Sequence, residues 1–269
     1  MPALTPARWP RFPNFALQPT RMLDFLAPFF TGPLRPFGER LHAGGAPTTQ
    51  AAWTAEALAR CARTLACDDS RALAAAWFRD YTKAVLPGAL VAATVFRRRL
   101  PFDRASIEIG EDGHLAALRL VDIGERTEQS LPALLLPLMG RHLPQVVDAL
   151  SAASRASHRL LWCTGGVAAH GIVCQLAAHP ALGAERRDEL LAWIGNGVSA
   201  DGYQNPLYGA FRTGTEPGIP SSKPGVAPVR RICCLSYRLP DEGHCGTCPR
   251  RAANATRRGR AADATTAMP

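Results

Sequence analysis

Ser106-Ile-Glu-Ile109-Gly-Glu-Asp-Gly113-His-Leu-Ala-Ala-Leu-Arg-Leu-Val-Asp-Ile123 is the stretch on which the fold class turns. Two short runs joined by a glycine-bounded four-residue turn predict a β-hairpin. On both sides of it the apolar residues recur at helical spacing instead. Upstream, Thr54 reads as an N-cap, with Glu56 in the first turn and Leu58, Cys61 and Leu65 following. Ser70 to Ala84 predicts a second helix, and Pro87 to Arg99 a third, because an internal proline breaks the hydrogen-bond ladder. Downstream, Leu131–Ala153, Ser157–His179 and Glu185–Ile194 predict three more, the middle one rich in small and apolar residues and therefore buried. The expected class is α+β, a mainly helical body with a small antiparallel sheet.

The chain has 269 residues, 47% apolar and 20% charged, the composition of an ordinary soluble globular protein. Its apolar runs are too short or too proline-interrupted to read as membrane spans. The N-terminus shows no basic stretch leading into an apolar one, so a cytoplasmic location is expected. In a reducing compartment the eight cysteines are thiols or metal ligands, not disulfides. Residues 1–50 read as a proline-rich arm, since nine of the 23 prolines fall before residue 48, scattered among aromatics. Residues 51–229 form the body, and its last stretch, from Gly195, turns to Gly, Pro, Asn and Ser. Residues 230–250 form a cysteine segment, and residues 251–269 a basic tail without apolar period, expected to be disordered. The net charge of +9 is uneven, with +4 in the last twenty residues and +5 in the rest, and its sign by itself does not choose a partner.

The cysteine segment reads Arg230-Arg-Ile-Cys233-Cys234-Leu-Ser-Tyr-Arg-Leu-Pro-Asp-Glu-Gly-His-Cys245-Gly-Thr-Cys248-Pro249. Four soft ligands so grouped suit zinc or iron–sulfur. A structural zinc ribbon uses two Cys-x2–4-Cys knuckles, whereas Cys233 and Cys234 are adjacent and diverge in an extended chain. A two-iron cluster is larger than one ion and accepts sulfurs leaving at wider angles, so Cys233, Cys234, Cys245 and Cys248 are read as ligands of a [2Fe–2S] cluster. Two ferric ions, two sulfides and four thiolates carry a net charge of −2, which one-electron reduction makes −3. The neighbouring Arg230, Arg231, Arg238, Arg250 and Arg251 would favour the reduced state, unless they are merely a solvated basic face.

The run Cys233-Cys234-Leu-Ser-Tyr-Arg-Leu-Pro with Cys245-Gly-Thr-Cys248-Pro249 resembles the C-terminal signature of the FhuF-type ferric siderophore reductases. Asn205-Pro-Leu-Tyr208 and Leu161-Trp162 are similar with less specificity. The resemblance covers about residues 50–250 and carries nothing to the arm or the tail. It implies a cytoplasmic protein, with peripheral contact to the inner membrane allowed. Its [2Fe–2S] cluster, on the four cysteines, would reduce Fe(III) to Fe(II) in an imported siderophore of hydroxamate type. Hard oxygen donors hold iron(III) much more tightly than iron(II), so one electron loosens the metal. Electrons are expected from a separate ferredoxin or flavin-dependent reductase, because the sequence offers no convincing nucleotide site. Gly195-Asn-Gly197-Val-Ser-Ala200 fits the dinucleotide pattern but follows a helix, and reads as a helix end and turn.

Weaker signals have plainer readings. Cys61, Cys67, Cys163 and Cys174 read as packing thiols. His170 and His179 lack ligand-spaced partners. His244, beside Cys245, is a candidate for coupling proton to electron transfer. Arg238, Trp162 and Tyr208 are candidates for contact with a ferric complex, against a default of core packing for the two aromatics. Two competing functions stand beside reduction: a zinc-stabilised nucleic-acid-binding protein, and an electron carrier or sensor with no chelate site. The few aromatics among the arginines disfavour the first, and no nucleic-acid partner is expected.

Overall fold

The computed structural model describes residues 26, 40–44, 51–199, 202–212 and 228–251. The expectations for the aromatics of the arm, for residues 213–227 and for the tail beyond residue 251 lie outside these.

The first helix, α1 (Ala51–Leu65), begins a turn earlier than its capping signal. Thr54 lies inside it, buried, because Trp53 packs its ring against Trp77 and Tyr81 at centroid distances of 5.2 and 6.4 Å. That contact pulls the preceding turn into the helix, a tertiary effect no N-cap pattern contains. The next helix, α2 (Ser70–Thr94), is continuous where two were expected. Pro87 sits within it, and residues 84–94 are buried throughout, so packing offsets the missing N–H. The Asp69 carboxylate caps its start by accepting from Ala72 N at 3.0 Å.

The hairpin forms as β3 (Ser106–Ile109) and β4 (Leu115–Leu120), with Ser106 opposite Arg119 and an irregularity between Glu108 and Ile109. The sheet is mixed, not purely antiparallel. Strand β1 (Leu41–Ala43), at the end of the expected arm, pairs in parallel with β4, Leu41 opposite Leu118. Leu41 is buried against Gly88 of α2, where a Cβ would stand 2.7 Å from its Cδ2. The short strands β2 (Arg98–Arg99) and β5 (Glu125–Arg126) pair separately. The hairpin turn docks on α1: Gly113, at φ +84°, comes so near that a Cβ would lie 2.4 Å from Ala57 O. Trp77 Nε1 donates to the Gly113 carbonyl at 2.9 Å.

The stretch expected as one helix over 131–153 is three pieces: α3 (Leu131–Leu136), a π-helical turn (Pro137–His142) and α4 (Leu143–Ser154). Pro137 and Pro144 each lack an N–H, and the wider turn absorbs the defect while keeping Leu138, Met139 and His142 buried. Helix α5 (His158–Ala177), started by Ser157, has the length and hydropathy of a membrane span, yet it packs as the central core helix against α2. Helix α6 (Ala184–Gly195) ends at the glycine of the dinucleotide-like pattern. Val198 then bridges back to Gln204, a helix end and turn as expected.

Candidate metal centre

The cysteine segment has little regular structure and is held by links to distant parts of the chain. Phe211 bridges Arg230, and Arg231 N donates to the Ala210 carbonyl at 2.9 Å. Arg238 Nη1 pairs with Asp69 Oδ2 at 2.7 Å, so the carboxylate that caps α2 also pins the segment. Arg79 of α2 reaches Glu242 at 3.4 Å. The Cys67 thiol faces the Arg238 carbonyl at 3.8 Å. Cys163 lies 3.4 Å from Ala210 O and 3.9 Å from Ile232 O. Two thiols read as core packing therefore pack specifically against this segment. With partners 171 and 69 residues away, no local signal could show it.

Within the segment the backbone is irregular where the adjacent cysteines require it. Leu235 adopts a left-handed φ of 63° and leads into a 3₁₀ turn at Ser236–Arg238. Ser236 Oγ donates to Gly243 O at 3.1 Å, closing the loop between the two cysteine pairs. Cys234 and Cys248 are buried, whereas Cys233 and Cys245 are half-buried, so the site is within reach of an outside partner.

The thiols sit in pairs. The Cys234 and Cys245 sulfurs are hydrogen-bonded at 3.6 Å. The bond to Cys245 pulls the Cys234 thiol well down, with help from Arg230, while that same bond and burial push Cys245 up. Burial raises the Cys233 thiol, and its neighbours Cys248 and Cys234 add to the rise. Among the described residues no three His, Cys, Asp or Glu side chains gather as tightly as one metal ion requires. A two-iron rhomb is larger and takes thiolates in pairs, so this donor set fits it better than a tetrahedral zinc.

His244 stacks on Tyr237 at 4.9 Å, and its Nδ1 is 3.4 Å from Cys248 Sγ, at the site as expected. Arg238 lies beside the centre but is engaged with Asp69 and the Tyr237 hydroxyl. His170 packs edge-on to Phe211 in the core, and His179 Nδ1 accepts from Ala181 N, so both are structural.

Trp162 and Tyr208 line one open depression of about 700 Å³, together with Tyr203, Gln204, Met139 and His158. Tyr208 is 52% exposed, not core. Asn205 shapes the loop beneath it, donating to Trp193 O and accepting from Leu207 N. A smaller depression of about 340 Å³ lies beside β2 and β5. Its charges are spent on one another, in the pairs Arg99–Glu125, Arg104–Asp122 and Arg141–Asp103.

The protein is thus a mainly helical body that carries a thiol-lined segment. Residues 230–250 match the FhuF 2Fe-2S C-terminal domain, and a [2Fe–2S] cluster is the cofactor of that segment. No curated protein matches the chain.

Proposed function

We propose that the protein reduces the Fe(III) of a siderophore, of hydroxamate type, to Fe(II) and so frees the iron in the cytoplasm. The observation that carries this reading is the match of residues 230–250, which contain Cys233, Cys234, Cys245 and Cys248, to the FhuF 2Fe-2S C-terminal domain. Cys233, Cys234, Cys245 and Cys248 would hold the cluster, which would supply one electron per turnover. The polypeptide's task is to bring the chelate close. The depression lined by Trp162 and Tyr208 suits a large polar complex, because it is wide, open and walled by aromatics.

That depression and the centre share their supports. Tyr208 is followed by Gly209, which lies against the Arg231 guanidinium, and by Ala210, which bonds Arg231. Trp162 is followed by Cys163, which faces Ile232, next to Cys233. The exposed Arg231, Arg250 and Arg251 around the centre offer a docking face for an acidic ferredoxin or flavin-dependent reductase. Their basic surface also suits peripheral contact with the inner membrane.

The test is stopped-flow oxidation of the dithionite-reduced protein by ferric hydroxamates, with an Fe(II)-specific chelator present to count the product. One Fe(II) per cluster, a rate that saturates with chelate, and weaker saturation in Tyr208→Ala are expected. Oxidation that rises linearly with any ferric chelate would instead make the protein an electron carrier without a substrate site.

A further inference from the structure

Five arginines flank the cysteines in sequence, and the fold treats them differently. Arg238 is taken by Asp69 and Tyr237, and Arg250 bonds the Tyr237 hydroxyl and lies over its ring. Arg231 and Arg251 are exposed. Arg230 is buried, only 4% exposed. Its backbone N–H donates to Thr247 O at 2.9 Å and its Nε to Thr247 Oγ1 at 3.1 Å. It thus grips the turn between Cys245 and Cys248 by both main chain and side chain. Thr247 Oγ1 is in turn 3.9 Å from Cys245 Sγ.

Beyond Nε, one further nitrogen of the Arg230 guanidinium is buried. This Nη1 is fully enclosed and has no hydrogen-bond partner among the described residues. Asp80 and Glu242, the acids that act with Arg230 on Lys83, both bind Arg79. A buried cation without a counter-charge is strongly destabilising, so such a residue calls for an anion that the described residues do not provide. The cluster, with its net negative charge, is that anion.

We propose that Arg230 is the positioning and potential-setting residue of the centre, its enclosed guanidinium serving as the counter-charge of the cluster and its free Nη1–H as a donor to the sulfur set. Reduction adds one negative charge beside this cation, so Arg230 favours the reduced form more than the oxidised one. The exposed arginines act through water and are screened. The proposal rests on the [2Fe–2S] assignment and is independent of which ferric chelate, if any, the protein reduces.

The experiment is an EPR-monitored redox titration of protein whose iron and sulfide have been counted, with Arg230→Met and Arg230→Lys beside the wild type. Arg230→Met is expected to weaken reduction at least tenfold, a fall of about 59 mV for one electron. Arg230→Lys keeps the charge but not the planar fork and recovers most of the loss. Arg251→Gln is expected to leave the potential within twofold in equilibrium constant. A loaded Arg230→Met protein with the wild-type potential overturns the proposal. If that variant does not hold iron, the wild type decides: with guanidino-¹⁵N-arginine, pulsed EPR of the reduced protein shows a nitrogen coupling, or its absence overturns the assignment.

Discussion

Among single residues, His142 shows how far burial can change an ordinary side chain. It is fully enclosed, its Nε2 lies 2.5 Å from the Tyr81 hydroxyl, and burial pushes its pKa from 6.5 down to about 4. It is therefore neutral in the native protein and takes up a proton only on unfolding. This stabilisation is complete above pH 6.5 and is lost as pH falls toward 4, by about 2 kcal/mol between pH 6.5 and 5. Denaturant midpoints across that window should fall in the wild type and fall less in His142→Gln, while equal slopes would assign the effect to another group. In the sequence, His142 was one residue in an expected continuous helix. Its partner Tyr81 lies 61 residues away, so nothing local distinguished it. The grouping of the four cysteines was legible for the opposite reason, since it lies within one short stretch of sequence.

At the scale of elements, the body meets the cysteine segment through α5 and the loop over 205–211. Gly166 makes the approach possible, because a Cβ there would lie 2.4 Å from Leu207 O and 2.7 Å from Ala210 Cβ. Gly166→Val should cost about 1–3 kcal/mol by overpacking and displace the loop that bonds Arg231. Its melting temperature is expected to fall, and its visible absorption to bleach in air faster than that of the wild type. Gly171, in the same helix, has nothing within 4 Å of its virtual Cβ. Gly171→Ala should stabilise by roughly 0.5–1 kcal/mol through helix propensity. If both variants melt alike, close packing at Gly166 is not what joins helix and loop. The hairpin and the helices α5 and α6 were legible because their signals are local. The continuity of α2 through Pro87 and the break at Pro137 were not, since two prolines with the same chemistry met different packing.

For the whole molecule, stability is unevenly distributed. The helices α2 and α5 form the core, whereas among the described residues the cysteine segment relies on one isolated bridge, the ion pairs Arg79–Glu242 and Arg238–Asp69, and its cofactor. Removing iron and sulfide should therefore loosen residues 230–250 and leave the body folded. Hydrogen exchange of the apoprotein is expected to show fast amides from Cys233 to Cys248 and unchanged protection in α2 and α5. Uniform loss of protection would mean that the cofactor supports the entire fold.

The sequence by itself determined the helical class, the hairpin and the grouping of four thiols in one short segment, because hydrophobic period, turn glycines and close sequence spacing act over a few residues. Only the tertiary structure decided which of five flanking arginines is buried beside the thiols. It likewise decided that Asp69 and Cys67 brace the segment, and that Trp162 and Tyr208 share one depression. Those outcomes depend on which distant surfaces pack together, and desolvation, which separates a counter-charge from a solvated arginine, exists only once they have.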